Sequence, residues 1–170
     1  YILTNHNTKT KEIFVQDKNN KLYLVSNTGK VLWTKQLQEK IEGAVRQIDI
    51  FKNQKLQIVF NTRSAIYAID RNGKDVAGYP VKLKSPATAG LAIIDYENNR
   101  NYRLFIPCEN KKMLCYDANG KEVKGFLINK ITSDIDKPVQ YFQMNNKDML
   151  CVVDEKGKIY IVNRKGEHVY

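Results

Sequence analysis

A few small groups of residues have the types and spacing to do chemistry. In Asp95-Tyr96-Glu97-Asn98-Asn99-Arg100-Asn101-Tyr102-Arg103, the oxygen donors Asp95, Glu97 and Asn99 alternate as they do in a calcium loop. The segment has no glycine for the sharp turn of such a site, and Arg103 stands where a closing carboxylate is needed. It therefore reads as a solvated hairpin loop, and the corresponding links, Phe51 to Leu56 and Asn145 to Asp148, show no such alternation. Asp134 and Asp136 are two carboxylates in one loop, without a neighbour that would divide acid and base roles between them. Ser85 precedes Pro86 and reads as a turn initiator, since neither Gly-x-Ser-x-Gly nor a Cys and His at a protease-like spacing accompanies it. Cys108, Cys115 and Cys151 lie in apolar surroundings without a Cys-x-x-Cys pair and read as small core residues; one pair would bridge only in an oxidising compartment. His6 and His168 stand near opposite ends of the chain. The sequence thus predicts no catalytic, cofactor-binding or metal-ligating set.

The elements that would have to position any site are repeated. Ser26-Asn27-Thr28-Gly29 returns as Asp70-Arg71-Asn72-Gly73, Asp117-Ala118-Asn119-Gly120 and Asn163-Arg164-Lys165-Gly166, with glycines 44, 47 and 46 residues apart. A polar residue first and glycine last describe a type I turn followed by a residue at positive φ, the three-residue hairpin loop with a bulge. An apolar run precedes each turn: Leu22–Val25, Ile66–Ile69, Met113–Tyr116 and Ile159–Val162. Each of these is preceded by a polar loop and another apolar run: Ile13–Val15, Gln57–Phe60, Leu104–Ile106 and Leu150–Val153. A third strand follows each turn (Val31–Trp33, Val76–Tyr79, Val123–Phe126 and the start at His168-Val169-Tyr170), and a fourth closes the unit at 44–51, 90–96 and 139–144.

The predicted unit has four antiparallel strands in about 45 residues, with repeats near 12–55, 56–102, 103–147, and 148–170 together with 1–7. Strands are expected at 13–16, 22–26, 31–37, 44–51, 57–60, 66–70, 75–82, 89–96, 104–107, 113–117, 122–128, 138–144, 150–153 and 159–163. The two middle strands of each unit are apolar almost without alternation, as in sheets covered on both faces. Such sheets must stack on one another, and the sequence therefore predicts an all-β fold, a β-propeller or an arc of one. Residues 1–6 read as a fourth strand lacking its first three, and the last copy as three strands lacking a fourth. The chain would then close on itself with four blades or form an arc of a larger ring with open apolar faces able to self-associate. The arc is the favoured expectation.

The run Leu22-Tyr23-Leu24-Val25-Ser26-Asn27-Thr28-Gly29-Lys30-Val31-Leu32-Trp33 resembles the PQQ-like repeat of quinoprotein-dehydrogenase-type propellers, with its aromatic strand, Thr-Gly-Lys turn and tryptophan four residues past the glycine. Later copies have Tyr79 and Phe126 beyond the tryptophan position, and Gly78-Tyr79-Pro80-Val81 resembles the ending of an FG-GAP repeat. The resemblance implies a bacterial, non-enzymatic propeller working outside the cytoplasm, periplasmic or surface-exposed and membrane-tethered, and binding or scaffolding a protein or a glycan. A quinone is not expected, because the adjacent cysteines those enzymes place against it are missing, and Trp33 occupies the structural slot. The alternative is a piece of a propeller enzyme with its catalytic residues in other blades.

Charge narrows the partners. The chain carries 28 basic and 18 acidic residues, for a net charge of +10, but only six of the basic residues are arginine and they are scattered. Dispersed lysine reads as a solvated surface, so nucleic acid is not an expected partner. No run reaches the roughly 20 apolar residues that span a bilayer, and no signal peptide opens the sequence.

Overall fold

A computed structural model describes residues 1–169. Among them are fourteen strands in four antiparallel sheets and no helix. Sheet I holds β1 (Ile2–Thr4), β2 (Lys11–Gln16), β3 (Lys21–Val25) and β4 (Val31–Gln36); sheet II holds β5 (Glu42–Ile48), β6 (Gln57–Asn61), β7 (Ala65–Ile69) and β8 (Val81–Lys82). Sheet III holds β9 (Ala92–Ile94), β10 (Arg103–Cys108) and β11 (Lys112–Asp117); sheet IV holds β12 (Gln140–Met144), β13 (Lys147–Val153) and β14 (Ile159–Val162). Strand order within each sheet follows the sequence, which is the up-and-down order of propeller blades.

The sheets differ from the expected units by one strand. Residues 42–48 pair with 57–61 and open sheet II rather than closing sheet I. Likewise β1 pairs with β2, Ile2 opposite Ile13, so residues 1–7 do not complete the last sheet. A pattern of four strands repeated end to end has no marked beginning; the hydrogen-bond ladder supplies it. The middle strands agree closely with expectation, and β6 is buried at every residue.

The third expected strand after the turn shrinks in sheets II and III. Of 75–82 only β8 and one bridge, Ile69 opposite Asp75, remain, and 122–128 contributes a single bridge, Tyr116 opposite Glu122. In both, Gly78 and Gly125 take positive φ (85° and 81°) and turn the chain off the ladder. Tyr79 N–H then bonds back to Val76 C=O at 2.9 Å. Of the start expected at 168–170, His168 bridges Val162, and Tyr170 lies outside the described residues.

Three apolar cores lie between the four sheets. Phe14, Leu22 and Leu24 of sheet I meet Ile58, Phe60 and Ile69 of sheet II. Val59, Ile66 and Ala68 of sheet II meet Leu104, Ile106 and Tyr116 of sheet III. Phe105, Met113 and Cys115 of sheet III meet Leu150, Val152 and Tyr160 of sheet IV. Alternate residues of one strand thus serve different cores, which is why the middle strands lack an apolar–polar alternation.

Candidate functional site

The polar residues that recur in the sequence hold the frame. At the four glycine turns the glycine N–H donates to the carbonyl three residues earlier at 3.0–3.1 Å, and φ is 82°, 82°, 78° and 87° at Gly29, Gly73, Gly120 and Gly166. The first side chain caps the loop: Asp70 Oδ1 accepts from Asn72 and Lys74 N–H, Asp117 Oδ1 from Asn119 and Lys121, and Asn163 Oδ1 from Lys165 and Glu167.

A second lock sits at the other end of the same strands. Asp17 Oδ1 accepts from Asn19 and Lys21 N–H while Oδ2 takes the Tyr23 hydroxyl at 3.0 Å. Asp154 repeats this with Lys156, Lys158 and the Tyr160 hydroxyl at 2.8 Å, and adds Thr132 at 3.0 Å. Burial pushes the Asp154 carboxyl up, but the bonds from Tyr160, Lys158 N–H and Thr132 outweigh it and hold the carboxyl well below the usual range. Tyr67, at the corresponding place in sheet II, stacks instead on Phe60, centroids 5.2 Å apart. Tyr67 and Tyr160 are therefore packing residues, as expected, whereas Tyr23 lies half-buried outside the apolar cores; Tyr23 and Tyr160 are also hydrogen-bond donors.

The residues singled out for chemistry are not brought together. Asp95 accepts from Asn99 N–H at 3.1 Å and Arg100 N–H at 2.7 Å. Its loop has a counterpart that the sequence reading missed: Asp49 accepts from Asn53 and Gln54 N–H at 2.9 and 2.7 Å, with residues three and five after each aspartate at positive φ. The capping Asp49 lies two residues before Phe51, outside the link from Phe51 to Leu56, so that link alone does not show the match. Asp134 receives Lys111 N–H at 2.8 Å, and Asp136 is exposed. Ser85 donates to Glu109 C=O at 3.2 Å. Cys108 lies in the core between sheets II and III, Cys115 in that between III and IV, and Cys151 on the far side of sheet IV; all three are free thiols. Burial pushes the thiols of Cys108 and Cys115 up to about 12, which keeps them protonated and unreactive. Among the described residues no three His, Cys, Asp or Glu side chains group as metal ligands.

The feature with the shape of a binding site lies where the first strands of sheets II, III and IV converge. A cavity of about 510 Å³ is lined there by Ala44 and Arg46 of β5, residues 91–94 around β9, and residues 137–141 leading into β12. These strands form the inner rim of the arc. Gly43 and Gly90 meet closely beside it: a Cβ on Gly43 would stand 2.5 Å from Gly90 Cα. The lining is apolar at Leu91, Ile93, Ile94 and Val139, and its two charged side chains, Arg46 and Lys137, are both cations. Sequence reading missed this site because its residues come from three repeats and share no motif.

Neither a protein-family model nor a curated protein matches the chain. Solved structures do. The chain resembles BBS1N, solved in complex with ARL6DN, at a TM-score of 0.74 and 13% identity over 97% of this chain and 53% of that one. It also resembles BamB from Moraxella catarrhalis, at 0.61 and 17% identity over 100% of this chain and 47% of that one. The fold is that of a β-propeller. The chain spans about half the length of these two propeller chains.

Proposed function

We propose that this chain is a non-catalytic propeller module that binds a protein segment at the inner rim of its arc, the segment presenting apolar side chains and at least one carboxylate. The observation that carries this reading is the axial cavity, with four branched aliphatic residues, two cations and no acidic residue in its lining. A buried carboxylate there would be held by charge-assisted hydrogen bonds from Arg46 and Lys137, while the apolar wall takes flanking side chains. BBS1N, solved as a complex with ARL6DN, supports protein as the ligand class. The wall is apolar where a glycan would call for hydroxyl-reading side chains, which ranks protein above glycan. The location proposed is extracytoplasmic and membrane-tethered, and it rests on the resemblance to PQQ-like and FG-GAP repeats.

A phage-displayed library of random twelve-residue peptides tests this. The selected peptides should be enriched in Asp or Glu beside Leu, Ile, Val or Phe. The double variant Arg46→Glu, Lys137→Glu should weaken them by at least about tenfold, the loss of a charge-assisted bond. Selection of basic peptides, or equal binding by the double variant, would overturn the assignment.

A further inference from the structure

Two aromatic side chains hook one sheet onto the next by their polar tips. Trp33 Nε1–H donates to Arg71 C=O at 2.7 Å, and the Tyr79 hydroxyl donates to Ala118 C=O at 3.0 Å. Tyr141 of β12 is built differently. Its hydroxyl turns back to its own sheet and donates to Asp148 Oδ1 at 2.6 Å. The ring, 36% exposed, lines the axial cavity.

Register explains why ring surface stands there. Gln47 of β5, Ile93 of β9 and Tyr141 lie at one equivalent position, opposite Ile58, Leu104 and Leu150 of the second strands. Gln47 fills the gap toward the preceding sheet by bonding both backbone groups of Thr4. Ile93 has no polar tip for such a tie, and the Tyr141 tip is committed to Asp148, so both side chains line the cavity instead.

The Tyr141 ring is held in place by a cluster that spans sheets III and IV. Asp148, its side chain 11% exposed, also accepts from Gln143 Nε2 at 3.0 Å and Arg164 Nε at 2.6 Å. The Arg164 guanidinium lies 4.3 Å from the centre of the Tyr96 ring and pairs with Glu97. Tyr96 in turn meets Tyr141, centroids 5.5 Å apart and planes at 77°. A ring ordered in advance loses little side-chain freedom when a ligand arrives.

We infer that Tyr141 is the specificity-determining residue of the axial cavity and takes an aromatic side chain of the bound segment, in addition to the carboxylate taken by Arg46 and Lys137. The inference rests on the reading of this cavity as a peptide site. Aliphatic walls accept any apolar side chain that fits, whereas two aromatic rings gain beyond the area they bury. Tyr141 is the lining residue that adds this selectivity, and with its donor proton committed to Asp148 it reads a ring rather than a hydroxyl.

The twelve-residue peptides selected on the wild-type chain are the probe. They should carry Phe, Tyr or Trp beside their acidic residue, and replacing that ring by Leu should weaken binding about threefold to tenfold in anisotropy titrations. On Tyr141→Leu the difference between ring and Leu peptides should vanish, and on Tyr141→Phe, which keeps the ring, it should persist. An NMR titration of the wild-type chain needs no substitution. The aromatic peptide should move the Tyr141 ring resonances, the Leu peptide should move them less, and those of Tyr67, stacked on Phe60, should stay in place. The variant Arg46→Glu, Lys137→Glu separates the two readings. Peptides that lose affinity on it but show no aromatic preference, keep that preference on Tyr141→Leu, or leave the Tyr141 resonances unmoved would overturn the role of Tyr141 alone. Peptides indifferent to the double charge reversal would overturn both readings.

Discussion

At the scale of single residues, this protein uses its charged side chains mainly to hold backbone turns. Asp154 is the clearest case: a fully buried carboxylate that accepts from two backbone N–H groups, a tyrosine and a threonine. Its folded pKa is depressed relative to the unfolded chain, so the native state binds fewer protons as pH falls through the carboxylate range. The stabilisation is complete above about pH 4, the ordinary aspartate value, and is lost as pH falls toward the lower folded pKa. Urea midpoints measured from pH 7 to pH 2.5 should fall on acidification, and Asp154→Asn should lower the neutral midpoint and flatten that slope. The turn glycines give a second test. Gly73 and Gly157 have nearly equal φ, 82° and 80°, but only Gly73 lies under the Trp33 ring. Gly157→Ala should cost about 1–2 kcal/mol for a left-handed alanine. Gly73→Ala should cost about 1–3 kcal/mol more for the overpacking against Trp33, readable in the same urea titrations.

At the scale of elements, the blades are joined by short devices that the repeat carries with it. Gln16 and Asn61, in corresponding positions, use their side-chain amides to hold the linker entering the next sheet: Gln16 on Ile41 N–H and Glu39 C=O, Asn61 on Leu91 N–H and Ala89 C=O. Gln47 clamps Thr4 from both sides at 2.7 and 2.9 Å, tying β5 to β1. The aromatic hooks complete the set. Trp33→Phe keeps most of the ring but loses the bond to Arg71 C=O, and should cost about 1 kcal/mol. Trp33→Ala also vacates the space against Gly73 and Phe14, and should cost about 3–5 kcal/mol. Comparing the two by thermal denaturation separates the hydrogen bond from the packing. These elements were legible in the sequence at the middle strands and turns, where burial and turn chemistry act on neighbouring residues. They were not legible at 75–82 and 122–128, where an aromatic residue leaves the ladder for the next sheet and a local reading sees only β-prone residues.

At the scale of the whole molecule, each inner sheet belongs to two cores, so the stack should lose them together. Cys108 reports on the core between sheets II and III and Cys115 on that between III and IV. In native protein Cys108 and Cys115 should resist Ellman's reagent. These two thiols should become reactive at the urea midpoint seen by circular dichroism, with Cys151→Ser as the background for the measurement. Separate midpoints for the two buried thiols would show that the arc melts blade by blade, as a nearest-neighbour stack with weak coupling does.

The amino-acid sequence by itself determined the fold class, the four glycine turns and the apolar middle strands. Each is dictated over a few consecutive residues, by the need for positive φ after a type I turn or by two covered faces. Only the tertiary structure decided which strand opens each sheet, because a tandem repeat gives the same pattern in every frame and the ladder alone breaks the tie. The same holds for the Asp49 loop, the hooks from Trp33 and Tyr79, and above all the axial cavity. Arg46 and Lys137 are 91 positions apart in the chain, and they face one space only because the first strands of successive sheets converge on the ring axis.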